Sequence, residues 1–114
     1  MKYMLLMYAD PGATKAMTES DRGLIARKHE ALVAKLTGMG ELLNGEGLDY
    51  PWNTATLHWN QGEPVTTNGP FAEAHEHLTA YCVVDCMSAD RAREIARELL
   101  DFHVIAVEVR PIHT

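Results

Sequence analysis

The chain has 114 residues, enough for one hydrophobic core, and an apolar share of 46% fits a folded domain rather than a disordered one. Sixteen acidic residues against ten basic ones leave a formal charge of -6, with no Lys/Arg cluster to mark a nucleic-acid or polybasic membrane surface. No stretch approaches the ~20 apolar residues of a membrane span.

Tyr3 to Tyr8 is a near-continuous apolar run closed by Asp10-Pro11-Gly12, which predicts a strand buried on both faces. The run is shorter than a signal h-region and lacks a small-residue cleavage site, so the expected location is cytoplasmic. Thr18 to Met39 reads as a helix, with Thr18 and Ser20 as candidate N-caps and Gly38 and Gly40 as its stop. Ile25, His29, Leu32, Leu36 and Met39 recur at helical spacing and predict one buried stripe.

Glu41 to Leu48 predicts a strand softened by Gly45 and Gly47, followed by a loop over Asp49 to Asn53. Thr54 to Trp59 is β-branched and aromatic, and Asn60-Gln61-Gly62-Glu63 turns it into a short strand at Pro64 to Thr67. The loop Asn68-Gly69-Pro70-Phe71-Ala72-Glu73 follows. Leu78 to Asp85 alternates as a strand should. Ser88 caps a second helix with a stripe of Ala92, Ile95, Ala96 and Leu99, and Val104 to Val109 is the last strand, closed by Pro111.

The order β-α-β, hairpin, β-α-β predicts one α+β domain over residues 1–114: a ferredoxin-like split βαβ arrangement with an antiparallel sheet and a β-hairpin insertion. Apolar residues fall on both faces of the predicted strands, and both helices pack on one face. A second copy of the chain is the simplest cover for the other, so a homodimer is expected. Cys82 and Cys86 sit ~13 Å apart if on one strand, beyond disulfide reach, and are expected to be reduced.

The opening Lys2-Tyr3-Met4-Leu5-Leu6-Met7-Tyr8, the central Asn68-Gly69-Pro70-Phe71-Ala72-Glu73 and the closing Val107-Glu108-Val109-Arg110-Pro111-Ile112 resemble the YCII-related proteins, in particular the branch named after its Asp-Gly-Pro-Phe motif. The resemblance covers nearly the whole chain. It implies a ferredoxin-like fold forming a dimeric α+β barrel, and a His/Asp pair in a pocket as the catalytic centre. It also implies, for some relatives, an association with extracytoplasmic-function sigma factors. His29 matches the family's helix histidine, and Gly69, Pro70 and Phe71 match its loop. Asn68 stands where the family has Asp, and an amide cannot act as a general base.

The resulting catalytic candidates are His29, Asn68 and Glu73. His29 has the right side chain for acid–base work near neutral pH, Asn68 would orient a ligand or the His29 ring, and Glu73 is the nearest carboxylate to the loop. Trp52, Phe71 and Arg110 are candidate ligand-binding residues: Trp52 at a pocket mouth among the aromatics, Arg110 for a carboxylate. His75 and His77 share a face if their segment is a strand. Two histidines without a third partner make a weak metal site, so no metal is assigned. His58, His103 and His113 are expected at the surface. There is no phosphate-cradling loop and no nucleophile elbow, so cofactor-free acid–base chemistry on a small organic molecule is the expected function. A non-catalytic ligand-binding or regulatory protein and a dimeric interaction module are the alternatives.

Overall fold

In the computed structural model, which describes residues 1–72 and 74–113, the first apolar run is a strand, β1 (Lys2–Ala9), at the centre of the molecule. Its residues alternate: Tyr3, Leu5, Met7 and Ala9 are buried against the helices, while Met4, Leu6 and Tyr8 are half-buried on the opposite face. The run therefore behaves as a central strand with two apolar faces of unequal burial.

β1 pairs antiparallel with β5 (His77–Asp85) on one side and β6 (Val104–Pro111) on the other, and β2 (Leu42–Gly47) adds outside β5. The order β2-β5-β1-β6 is compatible with a ferredoxin-like α+β arrangement. Gly45 in β2 has a physical reason: a Cβ there would lie 3.0 Å from the Cys82 side chain and 3.2 Å from the Tyr81 carbonyl.

Between β2 and β5 the chain makes a hairpin, β3 (Ala55–Asn60) and β4 (Glu63–Asn68). Its turn places Gln61 and Gly62 at φ 50° and 83°, the primed geometry that matches strand twist. The two strands form a separate sheet, with Leu57 and Trp59 exposed along one face. The radius of gyration is 16.0 Å, above the ~13 Å of a compact chain this size, as a hairpin standing off the main sheet requires.

The Asp10-Pro11-Gly12 stop begins a short helix, α1 (Pro11–Ala16). Asp10 caps it by accepting from the Gly12 N–H, and Pro11 sits at its first turn, where a missing donor costs nothing. The long helix α2 (Glu19–Gly38) starts at Thr18 with a capping box to Asp21, and Ser20 lies inside it. The expected stripe on α2 is only partly buried: Leu32 and Leu36 are in the core, Ile25 is half-buried, and His29 and Met39 are exposed. Apolar Leu24, Val33 and Met39 point elsewhere on the helix, so α2 seats on the sheet over its C-terminal half. Lys28 Nζ donates to the Leu100 carbonyl at 2.7 Å and Lys35 pairs with Glu98 at 3.1 Å, fastening α2 to the helix beside it.

That helix, α3 (Ala89–Leu99), is capped by Ser88 and buries Ala92, Ile95, Ala96 and Leu99, the four stripe positions expected from its spacing. The core joins Ala92, Ile95 and Leu99 to Tyr3, Leu5, Met7, Val84 and Val104. Cys82 and Cys86 are buried free thiols, and burial pushes the Cys82 thiol up to about 11, so it is unreactive at neutral pH. No helix among the described residues is long and apolar enough to cross a membrane.

Candidate active site

A cavity of about 900 Å³ opens where the carboxyl end of β1 meets the amino end of β5. Three segments wall it: the turn Tyr50–Asn53, the loop Gly69–Ala72, and Ala74 to Leu78 leading into β5. Each wall has a local cause. Pro51 starts a single 3₁₀ turn over Pro51–Asn53, which stacks Tyr50 on Trp52 with ring centroids 4.5 Å apart and planes 9° from parallel. Gly69 sits at φ 98°, a left-handed conformation that favours glycine. It is clamped from β3: its N–H donates to the Thr54 carbonyl and its carbonyl accepts from the Thr56 hydroxyl, both at 2.7 Å. Pro70 and Phe71 are thereby held at the rim, Phe71 78% exposed with its ring 6.0 Å from that of His58.

Strand pairing supplies the polar groups. Ala9 lies opposite His77 in the β1–β5 ladder, so the residues just beyond, Asp10 and His75, meet across the sheet end. His75 Nε2 lies 3.1 Å from Asp10 Oδ1, the same oxygen that accepts from the Gly12 N–H at 2.9 Å. Asp10 is thus fixed by capping α1 and holds one ring nitrogen of His75, leaving Nδ1 for a ligand.

Behind His75, the ring of His77 is half-buried and its Nδ1 is buried with no partner among the described residues. Burial, and next the charge of His103, depress the His77 pKa, which favours the neutral ring. His103 Nδ1 lies 3.0 Å from the Thr14 hydroxyl, which itself donates to the Asp10 carbonyl at 3.1 Å. The Thr14 hydroxyl thereby links His103 to the Asp10 backbone, with the donor and acceptor between Thr14 and His103 set by the ring tautomer. Asp101 Oδ1 shapes the turn into β6 by accepting from the His103 and Val104 N–H groups, both at 2.7 Å. Tyr8 also lines the cleft. The Glu108 carboxylate, first as hydrogen-bond acceptor and then through its charge, raises the phenol pKa together with burial, so Tyr8 stays a proton donor.

With this geometry in hand, the chain compares directly with known proteins. A family model described as "YCII-related domain" matches residues 1–113. An uncharacterized protein of Rhizobium meliloti (strain 1021) is 32% identical over 114 residues, covering 98% of this chain and 92% of that one. The chain belongs to the YCII-related family.

The residues singled out in the sequence divide among several places in this YCII-related domain. Trp52 and Phe71 line the large cleft together with Gly69 and Pro70. Asn68 is exposed as the last residue of β4, opposite Ala55, rather than part of the loop. Glu73 lies outside the described residues. Arg110 is exposed on β6 opposite Met4, on the helix-free face and away from the cleft wall. His29 lines a different cavity, about 540 Å³, between α2 and the sheet, among Met7, Leu32, Leu36, Ala80 and Leu99. The structure therefore does not bring His29 to the Gly69-Pro70-Phe71 loop.

His75 and His77 lead into the cleft wall, where His75 pairs with Asp10. Among the described residues no group of three His, Cys, Asp or Glu side chains is arranged to hold a metal. His103 is half-buried and hydrogen-bonded, not a surface residue. Sequence reading missed Asp10 as a partner of His75. The signal that finds it is the antiparallel pairing of the first strand with the strand after the Gly-Pro-Phe loop, extended two residues past its end.

Proposed function

We propose that this YCII-related protein is an enzyme that moves protons on a small organic molecule without a cofactor, in the cleft between Trp52, the Gly69-Pro70-Phe71 rim and His75. The observation that carries this reading is the Asp10–His75 pair at 3.1 Å on the cleft wall. A carboxylate holding one imidazole nitrogen fixes the ring's orientation and leaves the other nitrogen free, the arrangement a general base requires. His75 Nδ1 takes a proton from a carbon beside a carbonyl, the electron pair moves onto the carbonyl oxygen as an enolate, and the C–H bond re-forms as His75 returns a proton to carbon and the carbonyl is restored. This assigns the base to His75 rather than to His29, and Gly69-Pro70-Phe71 to shaping the cleft.

The same proposal takes the protein as a cytoplasmic homodimer of the branch named after the Asp-Gly-Pro-Phe motif, with a dimeric α+β barrel as its assembly. Half-buried Met4, Leu6, Tyr8, Tyr81 and Val83 on the helix-free face support it, as an apolar surface suited to a second copy. A small organic ligand and the second copy are then its partners, and the charge of -6 disfavours nucleic acid or an anionic membrane. A non-catalytic ligand-binding role, regulatory beside a sigma factor, is favoured by one observation: Asn68 replaces the motif's carboxylate and is exposed.

The test is proton exchange. The protein is incubated in D₂O with a panel of cyclic ketones, lactones and β-keto acids, and loss of α-proton signals is followed by NMR. At least one compound is expected to exchange, and His75→Ala to slow it by about 100-fold, with Asp10→Asn slowing it less. Binding without exchange across the panel, or full exchange in His75→Ala, would reject the acid–base reading.

A further inference from the structure

A side pocket of about 240 Å³ opens off the cleft, sharing Pro11, Tyr50, Trp52 and His77 with it and adding Thr14, Lys15 and Arg22. Its charge runs against the rest of the molecule. The protein carries -6 overall, yet among the described residues this wall holds two cations and no carboxylate. Among the described residues neither Lys15 nor Arg22 forms an ion pair, a state they share with most of the chain's cations; what sets them apart is that both line this one pocket. They come from different helices, α1 and α2, so the pairing is made by the fold and not by a local run. Between them and the cleft stands the Tyr50–Trp52 stack.

We propose that this side pocket is the subsite for a carboxylate borne on a planar organic ligand. The flat body lies against Trp52, and the carboxylate reaches Lys15 and Arg22. The guanidinium of Arg22 matches the planar fork of a carboxylate, Lys15 supplies a movable point charge, and a flat ring adds stacking at low entropic cost. This deepens the proposed function by naming its substrate class as a planar organic acid, and it rests on the cleft being the working site. Both cations are exposed. They therefore discriminate by selecting the anion against an uncharged isostere rather than by holding it tightly, and the preference falls with added salt.

Benzoate and benzamide are the probes, differing in the group the subsite reads. Each is titrated into the full chain at low salt, following the indole N–H signal of Trp52, with that of Trp59 on the β3–β4 hairpin as internal reference. Benzoate is expected to bind about ten-fold more tightly than benzamide and to move the Trp52 signal. Lys15→Gln/Arg22→Gln should bring benzoate down to the benzamide level and leave benzamide within about two-fold, since neither side chain touches the uncharged ring wall. Equal affinity of the two probes in the parent, a preference that survives the double variant, or shifts that bypass Trp52 would each overturn the proposal. None of these readings depends on turnover, so loss of the acid–base reading in the exchange assay leaves this titration independent.

Discussion

Leu5→Ala is expected to destabilise the fold by about 3 kcal/mol. Leu5 is 0% exposed and sits in the middle of β1, with Cys82 opposite on β5 and Val109 opposite on β6. It shares a core cluster with Ile95 and Leu99 of α3, so the truncated volume is walled by sheet on one side and helix on the other. A central strand paired on both edges cannot collapse into that cavity, which keeps the cost inside the usual range of about 2–5 kcal/mol rather than below it. Against a total stability of 5–15 kcal/mol for a typical domain, such a loss is measurable by urea unfolding. A cost under about 1 kcal/mol would mean that α3 does not pack on β1 as described.

Arg91→Ala is expected to cost about 3 kcal/mol at neutral pH, and less in acid. Glu41, 9% exposed, is the buried charged residue of the core, and Arg91 grips it from α3: Nε donates to Oε2 at 2.9 Å and Nη2 to Oε1 at 2.8 Å. The same arginine donates to Glu94 at 3.1 Å, so the entry to β2 is fastened to α3 through one guanidinium. The Arg91 hydrogen bonds, ahead of its charge, hold the Glu41 carboxyl below its ordinary value of 4.5, while burial opposes them. A carboxyl depressed in the folded state adds stability that is fully present above the unfolded value and is lost as pH falls through the folded one. The gap between parent and Arg91→Ala should therefore be constant from about pH 6 upward and close below about 4.5. Glu41→Gln/Arg91→Met should recover most of the loss, because neither uncharged partner leaves a buried charge unpaired. A gap independent of pH would show that Arg91 acts through packing alone.

The elements were legible in sequence where one local cause sufficed. The Ser88 cap with the Ala92–Ile95–Ala96–Leu99 stripe gave α3 directly, and Asn60-Gln61-Gly62-Glu63 gave the hairpin turn, with positive φ at Gln61 and Gly62. α2 was less legible. Its apolar residues occur at several angles, and periodicity could not tell that Leu32 and Leu36 would be buried while His29 and Met39 stayed outside. α1 was hidden because Asp-Pro-Gly serves equally as a strand stop and as a helix cap.

The cleft was half legible. Gly69-Pro70-Phe71 and Trp52 were visible as a rigid rim, because glycine, proline and large aromatics have local consequences. The Asp10–His75 pair was not, because it is made by two strand ends distant in sequence and depends on the β1–β5 register, including its shift between Met7 and Tyr8. The helix histidine drew attention away from it, through its place on a nominal core stripe and through the family resemblance. Lys15 and Arg22 carried no signal at all in a chain of net negative charge, and gained one only when α1 and α2 set them on the same wall.

The central claim is that the cleft bearing His75 and His77, not the cavity under α2 bearing His29, receives the ligand. Imidazole correlation spectra of the six histidines, recorded while benzoate is added, test it most directly. The rings of His75 and His77 are expected to shift together in a saturable way while His29 stays still. A saturable shift of His29 with His75 and His77 unmoved would contradict it.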